Sequence, residues 1–319
     1  MNADGTGLAT AIRALVFGAS GYIGTNLVPF LAARGLAVTA AARNIDVLRS
    51  RNWRDVTLVA ADALKSETLP AALADIDVAF YLVHSMAAGR QFGDLDLRAA
   101  EQFAAAAAAA GVKRIIYLGG LVPDDATGEH IVSRRETGEA LRRGTVPVTE
   151  LRAGIIIGPG SAAFEVMRDL ALNLPVMVTP RWVRAMSPPI ALANLLNYLL
   201  GVATLPEAEG ATFDAAGPEL VSYEDMMKLV AELAGKRKPL IVPVPVLSPG
   251  LSSYWLGLVT SVPPDIAKAL IGGLKHDFTA DDAALRELLP QRLLNVREAI
   301  EAAYSAERAH RTEARWTEG

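Results

Sequence analysis

The stretch "VFGASGYIGTNL", residues 16–27, carries three glycines spaced three residues apart. An apolar run, "RALVF" (13–17), precedes it, and "YIGTNLVPFLAARG" (22–35) follows with helical spacing. The first glycine permits a tight turn, the second lets a ligand approach the backbone, and the third lets the helix pack on the strand. The helix N-terminus then offers N–H groups to phosphates. The alternative is an ordinary structural turn. These residues are expected to bind a dinucleotide: Gly18, Ser20, Gly21, Tyr22, Ile23 and Gly24.

The alternation of strand and helix continues to about residue 158. Apolar runs at 37–43, 56–62, 78–85, 112–120 and 146–158 alternate with helical stretches. Such runs predict parallel strands buried on both faces. The predicted fold is α/β: a Rossmann-type, doubly wound parallel sheet over residues 12–158, followed by a smaller C-terminal α/β domain over 159–319 on the substrate side. Segments of the second domain are expected to return to the first, and "VSYED" supplies a capping box from Ser222 to Asp225.

The composition argues against several classes of function. The 319-residue chain has a net charge of −4 and no basic run longer than "GKRK" (235–238), so no nucleic-acid partner is expected. It has no cysteine and only four histidines, so no protein-bound metal is expected. Pro239–Pro264 is uncharged, but its six prolines disfavour a membrane-spanning helix. The N-terminus has no signal-peptide pattern, and the expected location is the cytoplasm.

The ends of three further strands extend the predicted dinucleotide site. The second strand ends at Arg43, where an acidic residue would favour NAD and an arginine suits the 2′-phosphate of NADP. NADP is therefore favoured, with NAD still possible, and the alternative for Arg43 is a strand end in solvent. After the third strand, Asp62 and Ala63 are candidates to contact adenine, although an aspartate there also commonly caps a helix. The fourth strand places three residues along the ribose–nicotinamide path: Leu82, Val83 and His84. His84 is equally compatible with a polar residue at the sheet edge.

Several stretches together resemble the atypical branch of the short-chain dehydrogenase/reductase superfamily, in particular its NmrA-like or YbjT-like NAD(P)-binding proteins. They include "GASGYIGTNL", "AAAGVKRIIYLGG", "SRRETGEAL" and "VPVTELRAGIIIGPGSAAFE". The resemblance covers roughly residues 12–300 and implies NAD(P) binding. In active members of the superfamily, a Ser or Thr near the end of the fifth strand polarises the substrate. A Tyr acts as general acid/base, and a Lys four residues later lowers the Tyr pKa and holds the nicotinamide ribose.

This sequence departs from that set at all three positions. Gly119 and Gly120 stand at the strand end in place of the hydroxyl residue. His130 stands where the Tyr would align, and Arg134 or Arg135 stands for the Lys. A histidine, with an ordinary pKa of about 6.5, exchanges protons near neutral pH. An arginine holds phosphate or ribose but does not share its proton.

Two local patterns predict different starts for the helix that contains these residues. His130 precedes Arg134 by one helical turn, so the two side chains would share a face. Ser133 and Glu136 also have capping-box spacing, which would start the helix at Ser133 and leave His130 in a loop. Three interpretations stay open: a catalytic pair of His130 and Arg134, cofactor positioning by Arg134, and ordinary structure.

The second half supplies candidates for the substrate side. Arg181, Trp182 and Arg184 form a candidate rim for an anionic or aromatic ligand, or a solvated linker. Tyr254 and Trp255 are candidate walls of an apolar interdomain pocket for a small molecule. One hypothesis is an NADP(H)-dependent oxidoreductase with a non-standard active site, acting on a small apolar or aromatic carbonyl or quinone. The other is a non-catalytic NADP(H)-sensing regulator or scaffold, NmrA-like or similar to the Rossmann subunit of respiratory complex I. A sugar-nucleotide epimerase is disfavoured because that chemistry relies on the missing Tyr.

Overall fold

The computed structural model describes residues 11–83, 92–122, 129–244 and 277–317, without the side chains of residues 92, 129–131, 182, 244 and 310–317. Its strands are β1 (Arg13–Phe17), β2 (Ala37–Ala42), β3 (Val56–Ala60), β4 (Val78–Tyr81), β5 (Arg114–Gly120), β6 (Val148–Ala153), β7 (Ile156–Ile157), β8 (Val176–Pro180), β9 (Met186–Ser187), β10 (Ile190–Ala191), β11 (Thr212–Ala215), β12 (Val221–Ser222) and β13 (Leu240–Val244). Its helices are α1 (Tyr22–Ala32), α2 (Ile45–Arg49), α3 (Leu69–Leu73), α4 (Phe92–Ala109), α5 (Glu129–Arg142), α6 (Ala162–Asn173), α7 (Leu192–Thr204), α8 (Tyr223–Leu233), α9 (Ala283–Leu288) and α10 (Val296–Thr317).

Seven strands form the central sheet in the order β11-β6-β5-β4-β1-β2-β3. Neighbouring strands run parallel; Leu15 of β1, for example, lies opposite Thr39 of β2 and Ala79 of β4. The chain winds outward from β1 to β3 in one direction and from β4 to β6 in the other. The prediction of a doubly wound, Rossmann-type α/β sheet is confirmed. The strand order reverses between β1 and β4, and ligands of open α/β sheets bind at the carboxyl ends of the strands at such a reversal.

Strand β1 shows how the sheet is buried on both faces. Its side chains alternate, so Ala14 and Val16 pack into one apolar cluster with α1 and α7. Leu15 and Phe17 pack into a second cluster with α3 and α4. The ring of Phe103 on α4 lies 4.9 Å from that of Phe17 and is fully buried. Truncating a buried phenylalanine of this kind costs about 3–5 kcal/mol.

The C-terminal half contributes both to the main sheet and to a separate core. β11 pairs with β6 at the edge of the main sheet, so the chain returns there after residue 211. A third apolar cluster lies between α6, α8 and α10, where Phe164, Met227 and Ile300 are buried. The predicted capping box is confirmed, because Ser222 accepts a hydrogen bond from the N–H of Asp225 at the start of α8. The domain boundary at residue 158 stays a prediction.

A buried arginine ties α7 to the amino end of β5. Arg114 Nη1 donates to the carbonyl oxygens of Val202 and Leu205 at 2.8 and 2.6 Å. Its Nη2 donates to Glu209 at 3.0 Å. The guanidinium therefore satisfies carbonyls that the end of a helix leaves unpaired and places a positive charge where the helix dipole favours one.

The strand predicted over 146–158 is in fact two strands. β6 ends at Ala153, and β7 pairs with β10 instead of the main sheet. Gly154 lies between them against Leu121, where an added Cβ would come within 3.3 Å of the Leu121 Cδ1. A continuous apolar run indicates strand character but does not reveal which strand is the partner.

Only the first six residues of the uncharged segment Pro239–Pro264 fall within the described ranges. They include strand β13, which pairs in parallel with β8. Among the helices described, none has the length and apolar character needed to cross a membrane.

Candidate functional site

The glycine-rich loop leaves β1 through a backbone conformation that favours glycine. Gly18 has a φ of +95°, and both its N–H and that of Ala19 donate to Ala41 O at 3.0 Å. A Cβ at Gly18 would also lie 3.0 Å from the backbone carbon of Leu82. Gly21 N–H donates back to Gly18 O at 3.0 Å and closes the turn. The tight turn expected at Gly18 is therefore present.

Helix α1 begins directly on this loop and presents free N–H groups. A Cβ at Gly24 would lie 2.4 Å from Gly18 O and 2.6 Å from Ala19 Cα, so only glycine allows this approach. Gly21 is the N-cap residue, and no side chain caps the helix. Thr25 N–H makes the first helical bond, to Gly21 O, which leaves the N–H groups of Tyr22, Ile23 and Gly24 without an intrahelical acceptor. Such a terminus fits the pyrophosphate of a dinucleotide.

Tyr22 connects this loop to the turn after β7. Its hydroxyl is buried and has no hydrogen-bond partner within the described part of the chain. A Cβ at Gly158 would lie 2.4 Å from that hydroxyl, so the glycine makes room for the ring. Burial raises the pKa of Tyr22 well above its ordinary value, and the nearby Glu165 carboxylate adds to the shift. The hydroxyl therefore stays protonated at neutral pH. Ser20, at the tip of the loop, is exposed.

Arg43 lies in solvent immediately after β2. It is exposed and forms no ion pair with any described residue. The nearby Arg49, by contrast, pairs with Asp46 at 2.9 Å. A free guanidinium at the carboxyl end of β2 is available to an anionic ligand group.

Asp62 lies two residues after the end of β3, and its carboxylate is partly engaged. Its Oδ1 accepts from Leu64 N–H at 3.0 Å, and its own N–H donates to Thr68 Oγ1 at 3.0 Å. This is a local turn of the kind that aspartate favours. Ala63 is buried. The adenine contact predicted for Asp62 and Ala63 stays a prediction.

The end of β4 lies against the glycine-rich loop. Leu82 N–H donates to Phe17 O at 2.9 Å, and both Leu82 and Val83 are partly buried. The structure thus brings the ends of β1 and β4 together, as expected of a strand reversal. His84 lies outside the described residues.

Helix α5 spans Glu129–Arg142, so the alternative in which the helix starts at Ser133 is wrong. Ser133 is buried inside the helix, and its hydroxyl donates to Asp96 of α4 at 3.3 Å. The spacing of Ser133 and Glu136 indicates a helix start only when the residues before the serine are not themselves helical. His130 therefore lies in the first turn of α5, one helical turn before Arg134, and its side chain is outside the description.

The Arg134 side chain lies against the carboxyl end of β5. A Cβ at Gly120 would lie 3.0 Å from Arg134 Cδ and 3.6 Å from its Nη1. Tyr117 donates its hydroxyl to Arg134 O at 2.9 Å and fixes this turn of α5 to β5. Burial raises the pKa of Tyr117 far above its ordinary value, although the Arg134 charge opposes the shift. Arg135 is exposed, so Arg134 is the arginine that contacts the strand end.

Glu150 is a buried carboxylate whose packing between two glycines sequence reasoning missed. It is 3% exposed on β6 and pairs with Arg142 and, at 3.4 Å, with Arg152. A Cβ at Gly119 would lie 2.5 Å from Glu150 Oε1, and one at Gly138 would lie 3.1 Å from Oε2. The two glycines therefore leave room for this carboxylate. A glycine inside a helix, which costs about 1 kcal/mol relative to alanine, was the available signal.

The substrate-side candidates are only partly described. Arg181 is exposed, whereas Arg184 pairs with Glu224 at 3.3 Å. The Trp182 side chain, Tyr254 and Trp255 lie outside the description. The roles proposed for these residues stay predictions.

A cleft of about 560 Å³ lies at the amino edge of the sheet, opposite the glycine-rich loop. Its cationic residues are largely neutralised: Arg13 and Lys113 both pair with Asp77 at 3.0 Å. Arg114 pairs with Glu209. Because these charges are paired within the protein, they are not available to a ligand. We therefore take the carboxyl edge of the sheet, and not this cleft, as the candidate site.

The doubly wound sheet, the glycine-rich loop and the uncapped start of α1 together define a Rossmann-type dinucleotide-binding protein. Residues 18–153 match the model of a family described as NAD(P)H-binding. The solved structure of the NADPH-dependent quinone oxidoreductase from Escherichia coli, complexed with NADPH, is similar with a TM-score of 0.73 and 20% identity. The similarity covers 92% of this chain and 100% of that one.

Two curated relatives are similar in sequence. The mitochondrial NADH dehydrogenase [ubiquinone] 1 alpha subcomplex subunit 9 of Dictyostelium discoideum is 23% identical over 74% of this chain and 67% of its own length. The (4-alkanoyl-5-oxo-2,5-dihydrofuran-3-yl)methyl phosphate reductase of Streptomyces griseus is 26% identical over 85% of this chain and 89% of its own. The resemblance predicted from sequence is confirmed: residues 18–153 match the NAD(P)H-binding family, and solved structures named as a quinone oxidoreductase and a nucleoside-diphosphate-sugar epimerase share the fold.

Proposed function

We propose that this protein is an NADP(H)-dependent oxidoreductase that reduces a small apolar or aromatic carbonyl or quinone compound bound between its two halves. The observation that carries the proposal is the Arg134 side chain against Gly120 at the carboxyl end of β5. In active relatives of the superfamily this strand end supplies a hydroxyl that polarises the substrate. In this chain a guanidinium lies beside the same strand end.

NADPH supplies the hydride when it is bound. The N–H groups of Tyr22, Ile23 and Gly24 fit its pyrophosphate, because they have no intrahelical acceptor and lie at the positive end of α1. The exposed Arg43 suits the 2′-phosphate. The backbone at Leu82 packs on the glycine-rich loop, which supports a role for it in lining the nicotinamide side.

Arg134 is suited to stabilise negative charge on the substrate oxygen. A guanidinium donates hydrogen bonds but does not give up its proton, so Arg134 would polarise a carbonyl without acting as an acid. A single donor at such a position typically contributes a factor of about 10² to 10³ in rate. Hydrogen bonding of Tyr117 to Arg134 O orients the turn that carries this side chain.

The proton that completes the reduction has two candidate sources. Tyr117 does not supply it, because its hydroxyl is buried and already donates to a backbone oxygen. His130 lies one turn before Arg134. Histidine exchanges protons near neutral pH, which suits a proton donor. Solvent water is the alternative source.

A non-catalytic NADP(H)-sensing regulator or scaffold is the second candidate. It is favoured by the absence of a hydroxyl at Gly119 and Gly120 and by the engagement of Tyr117 within the protein. The Dictyostelium relative is a subunit of a larger NADH dehydrogenase, whereas the Streptomyces relative and the Escherichia neighbour are named as reductases. The second candidate predicts NADPH binding without turnover.

The test compares Arg134→Met with the matched control Arg135→Met. NADPH oxidation is followed with a panel of naphthoquinones, benzoquinones and aromatic aldehydes, and NADPH affinity is measured separately by fluorescence titration. We expect turnover by the wild type and by Arg135→Met, and a kcat about 10² lower in Arg134→Met. If the wild type binds NADPH but reduces no member of the panel, the sensor is the better account. Equal kcat values in the two variants would remove the role of Arg134.

A separate variant tests His130. If His130 supplies the proton, the wild-type kcat falls as pH rises through the histidine pKa, because the protonated donor is lost. His130→Gln should then show a lower and flatter profile over the same range. An unchanged profile assigns the proton to water.

A further inference from the structure

Strands β8 and β13 form a two-stranded parallel sheet with an apolar outer face. Met177 and Ile241 point inward and are buried in the C-terminal core. The residues that alternate with them lie opposite each other in register, Val176 with Leu240 and Val178 with Val242. We call this outward-facing set the apolar strip: Val176, Val178, Leu240 and Val242.

The apolar strip is unusually exposed for aliphatic residues. Val176 and Val178 are each 55% exposed, Leu240 is 61% exposed and Val242 is 43% exposed. Among the described residues six large hydrophobic side chains are exposed, and four of them form this strip. Single exposed apolar residues are ordinary, but a contiguous group marks a surface that contacts something other than water.

Cationic residues flank the strip at both ends. Lys236, Arg237 and Lys238 precede β13, separated from it by Pro239, and are exposed. Lys238 pairs with Glu232 at 2.8 Å, whereas Lys236 and Arg237 have no ion pair within the described ranges. Arg181 immediately follows β8 at the other end and is also exposed. The whole chain has a net charge of −4, so this concentration of positive charge does not reflect its average composition.

The charge distribution favours an anionic occupant over a second copy of the chain. In a two-fold contact the cations of one strip would face those of the other, because both ends carry them. Like charges opposed in this way disfavour association. An anionic lipid surface complements both features, since apolar side chains enter the boundary with the acyl chains while lysine and arginine remain among the head groups.

We propose that the apolar strip and its flanking cations dock the protein peripherally on an anionic phospholipid surface. The aliphatic side chains of β8 and β13 make the shallow apolar contact, and Lys236, Arg237 and Arg181 bind phosphate head groups. The proposal does not depend on catalysis, because neither strand contributes a residue to the proposed dinucleotide site.

The experiment is co-sedimentation of the full chain with vesicles of phosphatidylcholine alone or mixed with phosphatidylglycerol. We expect binding to the mixed vesicles only, and loss of binding as salt is raised. Val178→Glu with Val242→Glu should abolish sedimentation, while Leu220→Glu, at an isolated exposed leucine, should leave it unchanged. Lys236→Ala with Arg237→Ala should lower the partition coefficient about thirtyfold. Val178→Thr with Val242→Thr, which keeps shape and strand propensity, provides a folded variant if the glutamates disturb the sheet.

Two results would overturn the proposal. The first is a wild type that stays in the supernatant with mixed vesicles. The second is sedimentation that the strip variants leave unchanged. If the first result comes with a dimer, detected by light scattering, that the strip variants dissociate, the strip is a contact between copies. A strip covered by residues 245–276 would give the first result, together with lowered melting temperatures in the strip variants.

Discussion

The ends of β1 and β5 both carry glycines, but different atoms fill the space that the missing side chains leave. At β1, Gly24 lets one part of the backbone rest on another, and the N–H groups of α1 remain free for a ligand. At β5, the space beside Gly119 is filled by the Glu150 carboxylate, and that beside Gly120 by the Arg134 side chain. The first set of glycines therefore shapes the proposed dinucleotide site. The second accommodates charged side chains of the protein itself.

The largest effect is expected from Gly24→Ala. The new Cβ would lie 2.4 Å from Gly18 O, and the loop must move away from the helix to relieve the contact. We expect a loss of about 3 kcal/mol in the free energy of unfolding, together with loss of NADPH binding. Urea denaturation and NADPH titration measure the two quantities.

Gly93→Ala is the control, because a Cβ at Gly93 has no neighbour within 4 Å. It should leave the free energy of unfolding unchanged or slightly raised. Full NADPH affinity in Gly24→Ala would contradict the claim that this glycine shapes the site.

The two glycines of β5 should differ in their tolerance of alanine. At Gly119 the clash is with Glu150, which ion pairs with Arg142 and Arg152 hold in place, so we expect a loss of about 2 kcal/mol. At Gly120 the neighbour is the flexible Arg134 side chain, and the loss should stay below about 1 kcal/mol. Urea denaturation measures both losses. A larger loss for Gly120→Ala than for Gly119→Ala would show that Glu150 and Arg134 do not fill the spaces beside these glycines.

Arg43→Ala tests the proposed dinucleotide site near the end of β1, and the quantity it should change is cofactor affinity. Removal of a guanidinium from the 2′-phosphate should weaken NADPH binding roughly tenfold and leave NADH binding unchanged. Arg49→Ala is the control, because Arg49 pairs with Asp46 within the protein. Equal losses for the two cofactors would assign Arg43 a structural role instead.

The smallest effect is expected at the amino edge of the same sheet. Hydrogen bonds from the Arg13 side chain and backbone hold the pKa of Asp77 well below its ordinary value. The carboxylate therefore stabilises the fold above its unfolded pKa of about 3.9, and this contribution is lost as the pH falls toward the folded pKa. Asp77→Asn should make the melting temperature slightly less sensitive to pH below about 4, and the effect should be small because solvent screens Arg13 and Lys113. An unchanged acid sensitivity would contradict this.

The sequence predicted the sheet and the loop well because both depend on short-range patterns. The apolar run of β1 matches the predicted strand from Arg13 to Phe17, and the Gly18 turn has the expected form. The start of α5 could not be predicted, because the Ser133 hydroxyl bonds to Asp96, a residue 37 positions away. The packing of Glu150 against two glycines was hidden for the same reason. Its carboxylate fits between Gly119 and Gly138, and no local pattern reports a contact between a strand and a helix.

A crystal structure of the protein with NADPH tests the central claim most directly. We predict pyrophosphate oxygens within hydrogen-bonding distance of the N–H groups of Tyr22 and Ile23, and the 2′-phosphate on Arg43. The nicotinamide should lie at the ends of β4 and β5, with the Arg134 guanidinium facing the space above its reactive carbon. A nicotinamide directed away from Gly120, or an Arg134 side chain separated from the ligand space by other residues, would contradict the proposed oxidoreductase site.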